Sequence, residues 1–354
     1  MGRRLSVPVT KLPVTEIVTL APLTDRTSAA SEQIRGGVIS IGNFDGVHRG
    51  HANLLKKVCR EAKRTGGPAI AVVLDPHPAT ILRPDRVPPK LTSLSQRAER
   101  MSAMGIDFLV VCETTVEFLQ LSAESFFQSL VVDRLDCRGV VEGPNFFFGR
   151  NRGGNIDSLK SLCQQAGISL DIVEPSVIDD SMISSTRIRE LLERGDIESA
   201  NELLGHHHRL RGTVIAGDRR GREIGFPTAN LADIDVVIPA GGVYGGYASI
   251  NGKSFDAAVH VGPRPTFDDL AAAKDKEDSI GHGSEASKVI RGALTSRVEV
   301  HVLDYTGDLY GQTVSVDLVT RVRDVARFDS VKALTDQLAA DVRTVRDRLS
   351  TKEK

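Results

Sequence analysis

The chain has 354 residues, 40% of them hydrophobic and 26% charged, with a formal net charge of -1 at pH 7. This length exceeds what one hydrophobic core usually supports, so we expect two domains. The composition is typical of a globular protein and excludes disorder over most of the chain. The near-zero charge gives no reason to expect binding to nucleic acid or to an anionic membrane surface.

The four cysteines lie in the first half of the chain and form no Cys-x-x-Cys pair, which favours buried thiols in a reducing compartment. They are Cys59, Cys112, Cys137 and Cys163. No apolar run is long enough for a signal peptide or a membrane span. We therefore expect a cytoplasmic protein with no membrane partner, and homo-oligomerisation stays open.

From residue 36 to about residue 175, short apolar runs alternate with amphipathic helical patterns, whereas residues 1–30 show no clear structure. Such alternation predicts a parallel, doubly wound sheet. The predicted strands are 38–41, 69–74, 108–111, 139–141 and 168–173. Two short helices follow within 184–204, with capping side chains at Ser184, Ser185 and Asp196, and residues 205–208 are predicted to be a linker.

The second half has a period of two, with glycines between the apolar runs, and indicates a small antiparallel barrel. Its predicted strands are 210–216, 243–250, 255–261, 298–303 and 313–319. Residues 246–254 end in Gly252-Lys253-Ser254 as a phosphate-binding loop would, but Tyr247 stands where the first glycine of such a loop is required. Asn251-Gly252 is better explained as a hairpin turn. Apolar residues spaced by three and four predict a final helix from Ser330, and residues 268–297 are expected to be disordered.

The segment IGNFDGVHRGH, residues 41–51, follows the first predicted strand and leads into a helix. Its glycines allow close approach to a polyphosphate, and the helix N-terminus supplies unpaired N–H donors. His48 and His51 would reach the same phosphates. Two histidines at this spacing also occur as simple helix caps, and a zinc site would need further ligands that the sequence does not provide; the glycine loop favours the phosphate site.

A second helix start, ISSTRIR at residues 183–189, offers hydroxyls and arginines to phosphate. Together the two motifs resemble the nucleotidyltransferase superfamily, and the segments at 75–78, 91–97 and 145–150 resemble its FAD synthetase branch. The resemblance implies a Rossmann-like domain that adenylylates FMN with ATP, with His48 and His51 as catalytic residues. The implied ATP contacts are Gly42, Phe44, His48, His51, Asn145, Ser185, Thr186 and Arg189.

The flavin side of this branch corresponds to Asp75, His77 and Pro78. Thr114 and Leu74 stand where the family resemblance leads us to expect aromatic residues. We therefore expect stacking on the flavin to come from residues 146–148.

The segment GDRRGREIGFPTAN, residues 217–230, closely resembles the riboflavin kinase family, and further matches follow at 242–245, 262–267, 298–304 and 309–311. The resemblance implies phosphorylation of riboflavin to FMN, with Glu299 as the base and Mg²⁺ held by Thr228 and Asn230. A solvent-facing glutamate is the alternative for Glu299. The implied ATP contacts in this half are Gly221, Arg222, Gly225, Pro227 and Thr228.

We thus expect an N-terminal extension over 1–35, an FMN adenylyltransferase domain over 36–205 and a riboflavin kinase domain over 206–354. The expected partners are riboflavin, FMN and ATP, with no nucleic acid. The alternatives are an enzyme with only its kinase half active, a non-catalytic flavin-binding protein, and a nucleic-acid enzyme of the same superfamily. The last would be expected to show a basic surface.

Overall fold

A computed structural model describes residues 15–20, 31–178, 181–217, 220–263 and 296–352. The chain forms two compact units, the first made of Met1–Pro88 with Leu94–Ile183 and the second of Pro89–Ser93 with Ser184–Lys354. The four cysteines are buried as free thiols, as predicted. Within the described ranges, no helix is both long and apolar enough to cross a bilayer.

The first unit is built on a six-stranded parallel sheet in the order β1-β4-β3-β2-β5-β6. Its strands are β1 Glu16–Leu20, β2 Val38–Ile41, β3 Ala69–Asp75, β4 Phe108–Glu113, β5 Gly139–Glu142 and β6 Ser169–Ile172. All four residues of β2 and the first five of β3 are buried because layers of side chains cover both faces of the sheet. The doubly wound sheet predicted from the alternation is therefore confirmed.

The helices of this unit cover the two faces of the sheet. They are α1 Arg49–Thr65, α2 Pro78–Leu82, α3 Leu94–Ser102, α4 Val116–Leu119, α5 Ala123–Phe127 continued by a π-helical segment Gln128–Arg134, and α6 Ile156–Ala166. The strand β7 Val177–Ile178 pairs antiparallel with β8 Ser181–Met182.

The expectation that residues 1–30 lack structure is wrong for 15–20, because β1 pairs in parallel with β4 from Glu16 opposite Phe108. Five residues are too few to show a period, and the partner strand lies about 90 positions away in sequence. A parallel edge strand of this kind leaves no local turn signal in the sequence.

The second unit begins with α7 Ser185–Arg194 and α8 Ile197–Leu204. The Ser184 side chain accepts a hydrogen bond from Arg187 N, and Asp196 accepts one from Ser199 N, so both predicted caps are confirmed. Ser185 is the first helical residue rather than a second cap. The predicted linker is shorter than expected, since the first barrel strand already begins at His208.

Six antiparallel strands then close a barrel in the order β10-β13-β12-β11-β14-β9. They are β9 His208–Ile215, β10 Ala229–Ala232, β11 Gly242–Ile250, β12 Lys253–Pro263, β13 Ser296–Val302 and β14 Thr313–Arg323. The strand β10 was not predicted, because it has only four residues and directly follows a proline turn. It closes the barrel by pairing with both β9 and β13.

The predicted hairpin turn is confirmed: Asn251 and Gly252 both have positive φ, 50° and 74°, between paired residues Ile250 and Lys253. A helical turn α9, Arg220–Glu223, precedes β10, and the final helix α10, Val331–Lys352, is begun by Ser330, whose hydroxyl accepts from Ala333 N. Residues 264–295, most of the segment predicted to be disordered, lie outside the described residues, whereas 296 and 297 belong to β13.

Candidate active sites

Three neighbouring strands of the first unit carry the predicted site loops at their carboxyl ends. The order β3-β2-β5 places the loop after β2 between the Asp75–Pro78 turn and the segment that contains Asn145. All these strands are parallel, but β3 and β4 lie on one side of β2 whereas β5 and β6 lie on the other. The gap between β2 and β5 is therefore a topological switch point, where open α/β sheets bind ligands. Gly42, His48, His51, Asp75 and Asn145 therefore follow neighbouring strands at one edge of this unit.

The loop after β2 has an unusual backbone. Phe44 and Val47 have φ values of 47° and 41°, a region that β-branched and bulky residues seldom occupy, and Gly46 has φ 85°. Gly42 lies against the Phe44 ring, which a Cβ at position 42 would meet at 3.3 Å. Strain held by surrounding structure is common at ligand-binding loops.

The two histidines stack on each other at the start of α1. Their ring centroids are 3.6 Å apart, and His48 Nδ1 accepts a hydrogen bond from His51 N at 3.3 Å, so His48 is also the helix cap. His51 Nδ1 is buried and has no hydrogen-bond partner among the described residues. Burial, followed by His48 and Arg97, holds the pKa of His51 well below its usual value, which keeps this ring neutral at neutral pH.

Arg97 of α3 binds two residues of the same loop. It donates to Asn43 O at 2.9 Å and to Asp45 Oδ1 at 3.2 Å, and the Arg97 and Asp45 side chains are both 8% exposed. The guanidinium therefore holds the loop by a backbone and a side-chain contact.

The flavin-side residues form the turn after β3. His77 caps α2 by accepting from Ala79 N at 3.0 Å, and Pro78 is the first helical residue. Asp75 is the last residue of β3, and its carbonyl accepts from Thr114 N. Phe147, in the loop after β5, is 44% exposed, with the Arg152 guanidinium 4.4 Å from its ring centroid.

The remaining predicted ATP residues lie in the second unit. Ser185 and Thr186 are in the first turn of α7, where backbone N–H groups are unpaired within the helix. Arg189 donates from Nε to Pro89 O at 2.7 Å. Sequence spacing alone did not indicate this contact with a segment 100 residues away.

In the second unit, a cavity of about 880 Å³ opens into the barrel. It is lined by residues from β10, β12, β13 and α10 and by the loop before β10. Of the predicted kinase residues, all but Gly225 line it: Gly221, Arg222, Pro227, Thr228, Asn230 and Glu299.

Glu299 lies within a charged cluster rather than facing open solvent. Its Oε1 is 3.2 Å from Arg297 Nε and its Oε2 is 3.4 Å from His260 Nδ1, while the side chain is 26% exposed. Strand pairing sets this arrangement, because Glu299 is opposite Asn230 in β10 and opposite His260 in β12. The contacts with Arg297 and His260 fix the orientation of the carboxylate.

The predicted metal ligands sit beside this cluster. Asn230 is buried, and its Oδ1 accepts from Arg297 Nε at 2.7 Å. Thr228 is exposed to the cavity, and a Cβ at Gly221 would meet the Phe226 carbonyl and lie 3.5 Å from Thr228 Oγ1. Gly221 is thus required for the close approach of the loop to these oxygens.

Arg297 and His260 line this cavity but were not predicted from the sequence. Arg297 was detectable, since the period of two places residues 297 and 299 on the same face of a strand. His260 was not, because its position opposite Glu299 depends on the register between β12 and β13.

The far wall of the cavity comes from α10 and the segment after β14. Leu334, Leu338 and Val342 of the predicted amphipathic pattern line the cavity, whereas Val345 packs on the barrel. Asp341, buried and on the same helix, forms a two-oxygen ion pair with Arg323.

Both sites are thus suited to phosphate chemistry: one has a glycine and histidine loop at a switch point, the other a carboxylate beside neutral oxygens in a barrel. The family model of FAD synthetase matches residues 30–187, and that of riboflavin kinase matches residues 204–349.

The chain is 31% identical over 312 residues to the bifunctional riboflavin kinase/FMN adenylyltransferase of Pseudomonas fluorescens, covering 88% of this chain and 93% of that protein. The Escherichia coli K12 enzyme of the same description is 31% identical over 313 residues, with 88% and 92% covered. A crystal structure described as a macrolide-efflux protein from Streptococcus pneumoniae superposes with a TM-score of 0.78 at 29% identity, over 93% of this chain and 98% of that one.

The chain belongs to the bifunctional riboflavin kinase/FMN adenylyltransferase family. Its FAD synthetase domain is N-terminal and its riboflavin kinase domain is C-terminal, and both activities use ATP.

Proposed function

We propose that the barrel cavity holds riboflavin and ATP, with Glu299 as the general base for the ribityl hydroxyl. The observation that carries this proposal is the placement of Glu299 in an 880 Å³ cavity between Arg297 and His260. The carboxylate accepts the hydroxyl proton as the oxygen attacks the γ-phosphorus, and ADP leaves. Arg297 keeps the carboxylate charged and oriented until the hydroxyl arrives.

Thr228 and Asn230 would hold Mg²⁺, and the donor chemistry fits, since neutral oxygens suit an ion that keeps several of its waters. Asn230 Oδ1 already accepts from Arg297, but an amide oxygen has a second lone pair. When bound, the ion would neutralise charge on the ATP phosphates. The glycine at position 221 gives the loop room to approach them.

In the N-terminal domain, the FMN phosphate attacks the α-phosphorus of ATP and pyrophosphate leaves. This reaction needs alignment and charge stabilisation rather than a protein nucleophile. His48 and His51 contact the phosphates, Gly42 and Phe44 shape the loop, and the lowered pKa of His51 makes it a neutral donor. Asn145, Ser185, Thr186 and Arg189 complete the ATP contacts.

The turn that contains Asp75, His77 and Pro78 borders the flavin. Phe147 supplies the aromatic ring for stacking, because Thr114 and Leu74 stand where the family resemblance leads us to expect aromatic residues. Gly225, with φ 86°, gives the kinase loop its turn beside the other ATP residues of this domain. Because riboflavin, FMN and ATP are the partners, we place the protein in the cytoplasm.

The test is the Glu299→Gln variant, assayed separately with riboflavin and with FMN in the presence of ATP and Mg²⁺. A lost general base lowers phosphorylation of riboflavin by about 10²- to 10⁴-fold. Conversion of FMN to FAD stays at the wild-type rate, because that reaction uses the other domain. The exposed Asp336→Asn is the matched control, and equal rates of riboflavin phosphorylation for both variants would reject the assignment.

A further inference from the structure

Glu142 is a buried carboxyl group that neither half-reaction has so far required. It is the last residue of β5 and only 3% exposed. Its Oε1 accepts a hydrogen bond from Ile41 N at 2.7 Å and lies 3.5 Å from Ser40 Oγ. The side chain therefore reaches across from β5 to the end of β2.

This contact lies where the two strands separate. The pairing of β2 with β5 ends at Ile39 opposite Val140, although β2 continues beside β3 to Ile41, and β5 continues beside β6 to Glu142. Beyond Val140 the β5 backbone no longer offers an acceptor to Ile41. The Glu142 side chain supplies that acceptor, so a buried N–H group is satisfied at the switch point.

Ile41 is the last residue of β2 and lies immediately before the loop of residues 42–48, which we call the histidine loop. The next anchors of that loop are Gly42 N, which donates to Val72 O, and Arg97, which holds Asn43 O. Glu142 is thus the contact that fixes Ile41, the residue before the loop, on its β5 side. The strained φ values at Phe44 and Val47 show that the loop conformation depends on such supports.

The carboxyl group has no cationic partner among its contacts in the described part of the chain, and both of its hydrogen bonds involve the same oxygen. Burial raises the pKa of Glu142 well above its usual value, which favours the neutral acid. A neutral acid accepts through one oxygen, as a glutamine amide does. Glutamine should therefore reproduce the contact, whereas a hydrocarbon side chain cannot.

We propose that Glu142 is a positioning residue for FAD synthesis, which fixes the junction of β2 with the histidine loop and thereby aligns ATP. It does not touch the reacting atoms. Its effect on the reaction is transmitted through Ile41 and the loop backbone.

The experiment measures kcat and KM for ATP in the conversion of FMN to FAD by the full chain, for wild type, Glu142→Gln and Glu142→Val. The variant Val140→Ala is the structural control, since Val140 is equally buried on the same strand but contacts no loop residue through a polar atom. All measurements are made well below each variant's unfolding temperature. The rate of riboflavin phosphorylation by the same samples confirms the amount of folded barrel.

Misplaced reactants lose about tenfold to hundredfold in rate, so Glu142→Val is expected to lose at least about tenfold in kcat/KM for ATP. Glu142→Gln restores most of the wild-type value, and Val140→Ala lowers the unfolding temperature with little change in KM. Two results would overturn the proposal: a Glu142→Val variant with the kinetic constants of Val140→Ala, or a Glu142→Gln variant as impaired as Glu142→Val.

Discussion

The two carboxylates that matter most in this chain, Glu142 and Glu299, lie in opposite surroundings. Glu299 has the Arg297 guanidinium and the His260 ring beside it. Glu142 has only a backbone N–H and a hydroxyl, and it lies in the core. Under the two proposals made above, the same residue type serves as a base in one domain and as a neutral acceptor in the other.

The raised pKa of Glu142 predicts a pH dependence of stability. Above the ordinary glutamate pKa the unfolded chain releases this proton while the folded chain keeps it, so stability falls as pH rises towards the folded-state pKa. Glu142→Gln carries no such proton and lacks this loss. The difference in unfolding temperature, variant minus wild type, is therefore expected to increase from pH 5 to pH 8 in thermal unfolding followed by circular dichroism. A difference that shrinks over this range would contradict the neutral acid.

At the residue scale, side chains whose contacts lie within a few residues could be predicted from the sequence. Side chains whose contacts depend on the pairing of distant strands could not. The caps at Ser184 and Asp196 follow from short-range spacing, and both were predicted correctly. His260 and Glu142 depend on strand register and on where two strands part. Those features are set by partners 39 and 101 positions away, which no local pattern encodes.

At the scale of elements, the long apolar strands and the final helix could be predicted because each satisfies its own period over many residues. The short strands β1 and β10 could not, since both owe their existence to partners distant in sequence. The two ends of α10 make different contacts. One end lines the kinase cavity, and the other packs on the barrel through Val345 and Leu349.

This division predicts different effects for the same substitution at two places in α10. Val345 is fully buried and Val331 is 67% exposed. Val345→Ala removes buried methyl groups and leaves a cavity, so it should lower the free energy of unfolding of the barrel by about 2 kcal/mol. Val331→Ala should change it by less than about 0.5 kcal/mol. Urea unfolding of the two variants measures the difference, and similar midpoints would show that α10 does not pack as described.

At the scale of the whole molecule, the sequence indicated two domains and two linked chemistries, and the family assignment confirms both activities. The boundary at residue 205 stays a prediction. The two compact units divide between Ile183 and Ser184, whereas the FAD synthetase match reaches 187 and the riboflavin kinase match begins at 204. Helix α7 carries the ATP residues predicted from the sequence, yet it contacts the barrel, since Arg321 Nη1 donates to Arg194 O at its end. The boundary between the two family matches and the boundary between the two compact units therefore need not fall at the same residue.

The assignment of the two reactions to two separate sites is tested most directly by mixing two single-site variants. The flavins are separated by chromatography at successive times. Each variant receives riboflavin, ATP and Mg²⁺. We expect Glu299→Gln to leave riboflavin unchanged, His51→Ala to stop at FMN, and an equimolar mixture of the two to form FAD, because FMN released by one variant is adenylylated by the other. FAD formed by His51→Ala alone at the wild-type rate, or a mixture of the two variants that accumulates FMN without forming FAD, would contradict the assignment of the two reactions to two separate sites.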